Sequence, residues 1–423
     1  MKVEKILEGK NVLIGVTGSI AIYKTLQLIR YLTKSGANVR VIMSKSSKKF
    51  ITPLTFETLT GNRVLDEETE DWTTDLNHIA IGKWADSFVI APITANSINK
   101  LANGIADNIL LQTALAYGRN ILLAPSANTN MIHNPITEGN IKLLNLSNFT
   151  ILGTQTKELA CRTSGDGAMA EPEEIYFSIV RDLLQNPFWR DRRVIVTGGG
   201  TIEKIDEVRY ISNFSSGKMA SALALALYYL GADVCFISSK FPEPLPEEMC
   251  RIEIESADEM FQYLEDSIRV AKKGILKKPK LGESGETKLI QKKPFLFMAT
   301  AVADYRPKFR QAGKIKSHLI GDQWNLELVK NRDILQTISK DGIWTIGFKA
   351  EMDSSKGLEY AKAMLEKKGL DGVCLNILSD SSSFGTDRHQ IDWITKNGVT
   401  ELPKSSKLLL AFQILKEAQK LEE

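Results

Sequence analysis

Cysteine is scarce in this sequence and never closely spaced. Its four residues, Cys161, Cys235, Cys250 and Cys374, form no C-x-x-C motif. That pattern argues against a disulfide framework or a structural zinc site and suits a reducing compartment. Long apolar runs are also missing. None approaches the ~20 residues of a membrane-spanning helix. Met1-Lys2-Val3-Glu4-Lys5 leads towards a strand without the apolar core of a secretory signal. A cytoplasmic protein with no membrane partner is expected. Nor does charge of one sign dominate. Lys and Arg number 54 against 51 Asp and Glu, a net charge of +3, so nothing global calls for a nucleic-acid partner.

What is present is α/β grammar stated twice. At 423 residues the chain is too long for one ordinary core, and two domains are expected, 1–186 and 187–423, meeting near Asn186-Pro187-Phe188. In the first, continuous apolar runs predict buried parallel strands at Asn11–Val16, Asn38–Met43, Ser87–Ala91, Asn120–Ala124 and Phe149–Leu152. Helices are expected at Ala21–Thr33, with Ile22, Leu26, Ile29 and Leu32 on its apolar face, and at Ser97–Ala116 and Pro172–Leu184. The second domain restarts with a strand at Val194–Val196, a glycine turn, a helix from Lys218 to Leu230 and a strand at Asp233–Ile237. Further strands are expected at Phe295–Ala301, Thr345–Phe348, Val373–Ile377 and Gln390–Thr395. The fold class is α/β, two doubly wound Rossmann-like domains. Lys272–Lys293 holds eight lysines with Gly-Glu-Ser-Gly and no interleaved aromatic, which reads as a solvated mobile insertion.

Chemistry-bearing residues gather at predicted strand ends. Gly18-Ser19-Ile20 follows the first strand and opens a helix, where free N–H groups favour a phosphate. Thr94-Ala95-Asn96 follows Ala91-Pro92 in the same way, and Ala127-Asn128 follows the next strand. His78 is one of only four histidines, and Cys161 sits in the glycine-bearing loop Leu159–Met169.

Over about residues 8–180 these motifs resemble the flavin-containing cysteine decarboxylases, phosphopantothenoylcysteine decarboxylase among them. The likeness rests on Gly18-Ser19-Ile20, Asn77-His78, Ala91-Pro92 with Thr94–Asn96, the segment Pro125–Met131, and Ala160-Cys161 with Gly165 and Gly167. It implies a flavodoxin-like domain binding FMN through Gly18, Ser19, Ile20, Ser44, Thr94, Ala95 and Asn96. It implies His78 as catalytic histidine, Asn128 as the contact for the substrate carboxylate and Cys161 as proton donor. The implied chemistry is coherent. A carboxylate beta to a thiol lacks an electron sink, oxidation to the thioaldehyde creates one, and a proton source completes the re-reduction. The chain departs from the family pattern at Ala127, Arg162 and Ala168.

The second domain runs from its strand into Gly198-Gly199-Gly200, then a donor-rich loop holding Arg209, Asn213, Ser215, Ser216 and Lys218 before a helix, as an anion requires. Asp304 lies just past a strand end, followed by Lys314, Asn331-Arg332-Asp333 and Phe348. Over about residues 190–415 this resembles phosphopantothenate–cysteine ligase, and the domain order matches the bifunctional coenzyme A enzymes. The resemblance implies CTP as cosubstrate. Its contacts would be Met298, Ala299, Thr300, Asp304 and Lys314, then Arg332, Asp333, Ile334 and Leu335, with Phe348 and Lys368. It implies Asn213 on an acyl-cytidylate and Mg²⁺ with the triphosphate, near Asp304. Met364 stands where the family has a further lysine, and Arg332 where it more often has proline.

The expected function is a bifunctional coenzyme A biosynthesis enzyme acting on 4′-phosphopantothenate, cysteine and CTP. It would be a homo-oligomer, trimers joined through ligase dimers into a possible dodecamer. Two other readings differ in class. One is a ligase whose N-terminal half is a flavin-binding regulatory domain. The other is a nicotinamide dehydrogenase, which would need the G-x-G-x-x-G spacing and an acidic residue near Ser44 that the sequence lacks.

Overall fold

The computed structural model describes residues 3–158, 164–281, 285–316, 322–378 and 388–422. The chain forms two compact units. One comprises Met1–Leu184 with Lys278–Thr287, the other Gln185–Lys277 with Lys288–Glu423.

The first unit is built on β1 (Asn11–Val16), β2 (Asn38–Met43), β3 (Ser87–Ile93), β4 (Ile121–Pro125) and β5 (Phe149–Ile151). They form one parallel sheet in the order β2-β1-β3-β4-β5. This is the flavodoxin order, whose strand sequence reverses between β1 and β3. Helices cover both faces, so the strands are apolar throughout: Leu13, Ile42, Phe88, Ile90 and Leu123 are fully buried. The helix at Ile22–Lys34 buries Ile22, Ile29 and Leu32 as expected. It also buries Leu28, while Leu26 is only half-buried. Thr25 belongs to the same face and donates to the Ala91 carbonyl at 2.7 Å.

Two expectations need correction in this unit. The single helix expected over Ser97–Ala116 is two helices, Ala95–Ala102 and Ile109–Ala116, because Gly104 (φ 69°) ends the first and Asn108 caps the second. The described part of the glycine-bearing loop includes a strand: β7 (Ser164–Ala168) pairs antiparallel with β6 (Gln155–Glu158).

The second unit carries β8 (Arg193–Gly198), β9 (Glu203–Lys204), β10 (Tyr210–Ile211), β11 (Asp233–Ser238) and β12 (Cys250–Glu253). It continues through β13 (Ile275–Lys277), β14 (Lys288–Ile290), β15 (Phe295–Met298), β16 (Tyr305–Pro307) and β17 (Leu328–Lys330). It ends with β18 (Trp344–Glu351), β19 (Gly372–Ile377), β20 (Arg388–Thr395) and β21 (Gly398–Ser406). The main sheet runs β12-β11-β8-β15-β18-β19-β20-β21. Its first six strands are parallel in the Rossmann order and reverse between β8 and β15, and β20 and β21 add an antiparallel edge. Trp189, Phe295 and Phe297 form its aromatic core. The strand expected over Phe295–Ala301 stops at Met298, and the residues beyond it line a cavity instead. The lysine-rich stretch is not a featureless insertion either, since β13 and β14 pair as its antiparallel stem.

Candidate active sites

In an open parallel sheet, ligands bind beyond the strand C-termini where the strand order reverses. In the first unit that point lies between β1 and β3. Thr17 Oγ1 donates to the Pro92 carbonyl at 2.9 Å and accepts from the Thr94 N–H at 3.0 Å, which ties the two strand exits together. Ser19 Oγ and Ser126 Oγ lie 2.9 Å apart, bringing in the exit of β4. Thr94 caps the helix Ala95–Ala102 by accepting from the Ser97 N–H. Ala95 is buried, while Asn96 and Ile20 are exposed. Ser44 ends β2, its N–H donating to the Val16 carbonyl at 3.1 Å. Its hydroxyl is buried and has no hydrogen-bond partner among the described residues. Leaving such a group unsatisfied is costly, so an oxyanion acceptor fits there. Gly18 has a reason beyond phosphate approach: a Cβ there would lie 2.6 Å from Ser46 Cβ.

His78 is the first residue of the helix His78–Trp84, capped by the Asn77 side chain, which accepts from the N–H groups of Ile79 and Ala80. His78 Nδ1 lies 2.7 Å from Glu70 Oε1, and the Trp72 ring stands edge-on to the imidazole at 5.3 Å. In the neutral imidazole, Nδ1–H donates to Glu70 and Nε2 is left as the basic nitrogen. Nothing in the sequence singled out Glu70, which lies eight residues away with no motif linking the two. Asn128 caps the helix Thr129–Ile132, accepting from the Asn130 N–H at 2.9 Å. The neighbouring Ala127 N–H donates to the Gly167 carbonyl at 3.0 Å, which holds Asn128 beside β7. Cys161 and Arg162 lie outside the described residues. His133, another residue the sequence did not mark, bridges Glu138 (2.9 Å) and Asp166 (2.6 Å). Hydrogen bonds donated by its ring to Glu138 and then Asp166 raise its pKa above the ordinary histidine value.

In the second unit the strand reversal opens a cavity of about 550 Å³. Met298, Ala299, Thr300 and Asp304 line it from the end of β15, and Asn213 from the loop before the helix Lys218–Tyr229. Arg332, Asp333, Ile334, Leu335, Phe348 and Lys368 complete the expected set. Lys368 Nζ is 2.9 Å from Asp333, and the Arg332 guanidinium lies 4.1 Å over the Phe261 ring. Asn213 Nδ2 donates to the Val302 carbonyl at 3.1 Å. Met364 lines the cavity at the position of the family's further lysine.

Other expected residues are placed differently. Lys314 is not among the cavity-lining residues. It is exposed, next to Ile315, whose N–H donates to Asp206 at 3.1 Å. Arg209 is not free for an anion, because it pairs with the same buried Asp206 at 3.0 Å. Burial alone would raise the pKa of Asp206. Hydrogen bonds from the Val208, Ile315 and Arg209 N–H groups, with the Arg209 charge, hold it below the usual carboxylate value. Gly198-Gly199-Gly200 does not line the cavity either. Gly199 has φ 73° and a Cβ there would meet Ser239 Oγ at 2.3 Å, so the turn answers to backbone packing. The far wall was missed by sequence reasoning. It carries Asn376, His389 and Lys407, with Asn376 Nδ2 and His389 Nδ1 3.3 Å apart and Lys407 nine-tenths buried. Lys330, Arg332, Lys349, Lys368 and Lys407 outnumber the acids Asp304 and Asp333 around the cavity, which suits a polyanion. Among the described residues, no group of three or more His, Cys, Asp or Glu could hold a metal.

A flavodoxin-order domain with a hydroxyl-lined strand reversal and a Rossmann-order domain with a cationic cavity define a two-domain α/β flavoprotein enzyme. Family models agree. Residues 1–184 match the flavoprotein family, and residues 189–276 and 285–421 match the DNA/pantothenate metabolism flavoprotein C-terminal domain. The coenzyme A biosynthesis bifunctional protein CoaBC of Haemophilus influenzae is 36% identical over 419 residues, covering 97% of each chain. Its counterpart from Vibrio vulnificus is 34% identical over 420 residues, covering 98% of each. Among solved structures, the C-terminal domain of a coenzyme A biosynthesis bifunctional protein CoaBC aligns at TM-score 0.42 and 28% identity, over 56% of this chain and 98% of that one. The chain belongs to the family of bifunctional coenzyme A biosynthesis proteins. It is an enzyme with two activities, a flavoprotein decarboxylase and a ligase. No helix among the described residues is long and apolar enough to cross a membrane.

Proposed function

We propose that the chain joins cysteine to 4′-phosphopantothenate with CTP and then decarboxylates the product, 4′-phosphopantothenoylcysteine, to 4′-phosphopantetheine. The boundary between the two functions falls at 186/187. The observation that carries this reading is the convergence of Asn213, Met298–Thr300, Asp304, Arg332–Leu335, Phe348 and Lys368 on one cavity.

In the ligase half, a carboxylate is inert to an amine near neutral pH until it carries a good leaving group. Arg332, Lys368 and the backbone beyond β15 would hold CTP. Asp304 would position the nucleotide or the Mg²⁺ it brings, and Asn213 would hold the acyl-cytidylate for attack by the cysteine amine. Lys314 joins this set as a triphosphate contact from its exposed segment.

In the decarboxylase half, Gly18, Ser19, Ile20, Ser44, Thr94, Ala95 and Asn96 would hold FMN. FMN supplies the two-electron oxidation of the thiol and its later reversal. Asn128 orients the substrate carboxylate. His78, with Glu70 on Nδ1, handles a proton at Nε2, and Cys161 returns a proton after CO₂ leaves. A cytoplasmic homo-oligomer, trimers linked through ligase dimers, is part of this reading.

His78→Asn tests the assignment. Release of CO₂ from 4′-phosphopantothenoylcysteine should fall by at least ~100-fold, with pyrophosphate release from CTP unchanged. Loss of both activities would refute separate sites.

A further inference from the structure

The cysteines are far apart in sequence, yet the fold brings two of them into contact. Cys235 on β11 and Cys250 at the start of β12 are direct register partners on parallel strands. Their Sγ atoms lie 3.6 Å apart. Neighbouring strands run ~4.8 Å apart, within the Cα separation that a disulfide spans. β12 is the edge strand of its sheet and Cys250 is exposed, so a small molecule can reach it. Cys235 is half-buried behind it, with Ser267 Oγ at 3.7 Å.

We propose that Cys235 and Cys250 form a redox-reactive dithiol, a modification site on the ligase domain that low-molecular-weight disulfides oxidise to an intramolecular disulfide. The Cys250 thiolate attacks one sulfur of the small disulfide, forming a mixed disulfide and expelling one thiolate, which takes up a proton. The Cys235 sulfur, losing its proton, then attacks Cys250 Sγ and expels the second thiolate. Two protein thiols lose two electrons and two protons, and one small disulfide becomes two thiols.

The electrostatics agree with Cys250 as the attacking group. Hydrogen bonding from the Cys235 thiol draws the Cys250 thiol down, against the opposing effect of burial. The same contact and burial push Cys235 up. An exposed thiol with a lowered pKa offers more thiolate for exchange. Cys374 is fully buried, which pushes its thiol well up and leaves it inert. The bridge would close the loop 239–249. Ser239 Oγ in that loop donates to the Gly200 carbonyl at 2.7 Å, and Lys240 and Pro242 pack near Gly217 on the cavity wall.

The test treats the full-length protein with glutathione disulfide, alkylates it after denaturation and maps the peptides. Cys235 and Cys250 should disappear together into one cross-linked peptide pair, while Cys374 stays alkylatable. Cys235→Ser should trap glutathione on Cys250. Cys250→Ser, on the exposed edge, should leave Cys235 unmodified. A stable glutathione adduct on wild-type Cys250 with no cross-link would overturn the proposal. So would two thiols that remain alkylatable throughout.

Discussion

At the first strand reversal, hydroxyls are already taken up in hydrogen bonds: Thr17 with the Pro92 carbonyl and the Thr94 N–H, Ser19 with Ser126. At the second, charged side chains from several strand ends face a cavity of about 550 Å³. Both follow the same topological rule, yet in the proposed function they would serve different ligands. A flavin that stays bound needs a small, pre-satisfied cradle with few open contacts, of which the Ser44 hydroxyl is one. A nucleotide that enters, reacts and leaves needs room and compensating charge. The polar residues proposed for the two reactions are supported differently. His78 has its own local support in Glu70 and Trp72, whereas Asn213 is aimed by backbone carbonyls of the cavity wall.

Four changes would break or sharpen this contrast. Asn213→Ala should lower ligation by ~10²–10³-fold, the scale of one lost transition-state donor. CO₂ release from supplied 4′-phosphopantothenoylcysteine should not change, as parallel pyrophosphate and CO₂ assays would show. Glu70→Gln should cost the decarboxylase on the order of 10²-fold in kcat with little change in KM, because the imidazole loses the partner that fixes its tautomer. An unchanged kcat would remove Glu70 from the account. Ser44→Ala should weaken flavin retention by roughly 10-fold, as expected for one hydrogen bond to a charged group. Flavin fluorescence on dilution would measure this.

The smallest effect concerns His133. Its raised pKa means that the folded state holds the proton more tightly than the unfolded chain. The stabilisation is therefore complete below the ordinary value of about 6.5 and lost as pH rises through the higher folded value. Thermal melts of wild type and His133→Gln should differ at acidic pH and converge at alkaline pH. A difference independent of pH would contradict the ion pairs with Glu138 and Asp166.

Much of the frame was legible because parallel strands buried on both faces are written as continuous apolar runs. β1, β2, β3 and β4 can be read almost to the residue, and so can β11 and β19. Where burial is one-sided the signal fades. β21, exposed at most of its positions, escaped notice. The far cavity wall went unread too, because Asn376, His389 and Lys407 come from the end of β19, the start of β20 and the helix Lys407–Gln419, with no motif linking them. The helix break at Gly104 was hidden by apolar residues on either side. The triple glycine was visible, but its cause was not: contacts with Ala220 and Ser239 come from chain distant in sequence. Contacts set by strand register, such as Cys235 with Cys250, leave no local trace at all.

Mixing two inactive variants tests the central claim of two independent sites most directly. His78→Asn retains the ligase and Asn213→Ala retains the decarboxylase. Neither alone should convert 4′-phosphopantothenate, cysteine and CTP to 4′-phosphopantetheine. Their mixture should do so, with 4′-phosphopantothenoylcysteine passing between them through solution. A mixture as inactive as its components would contradict the account.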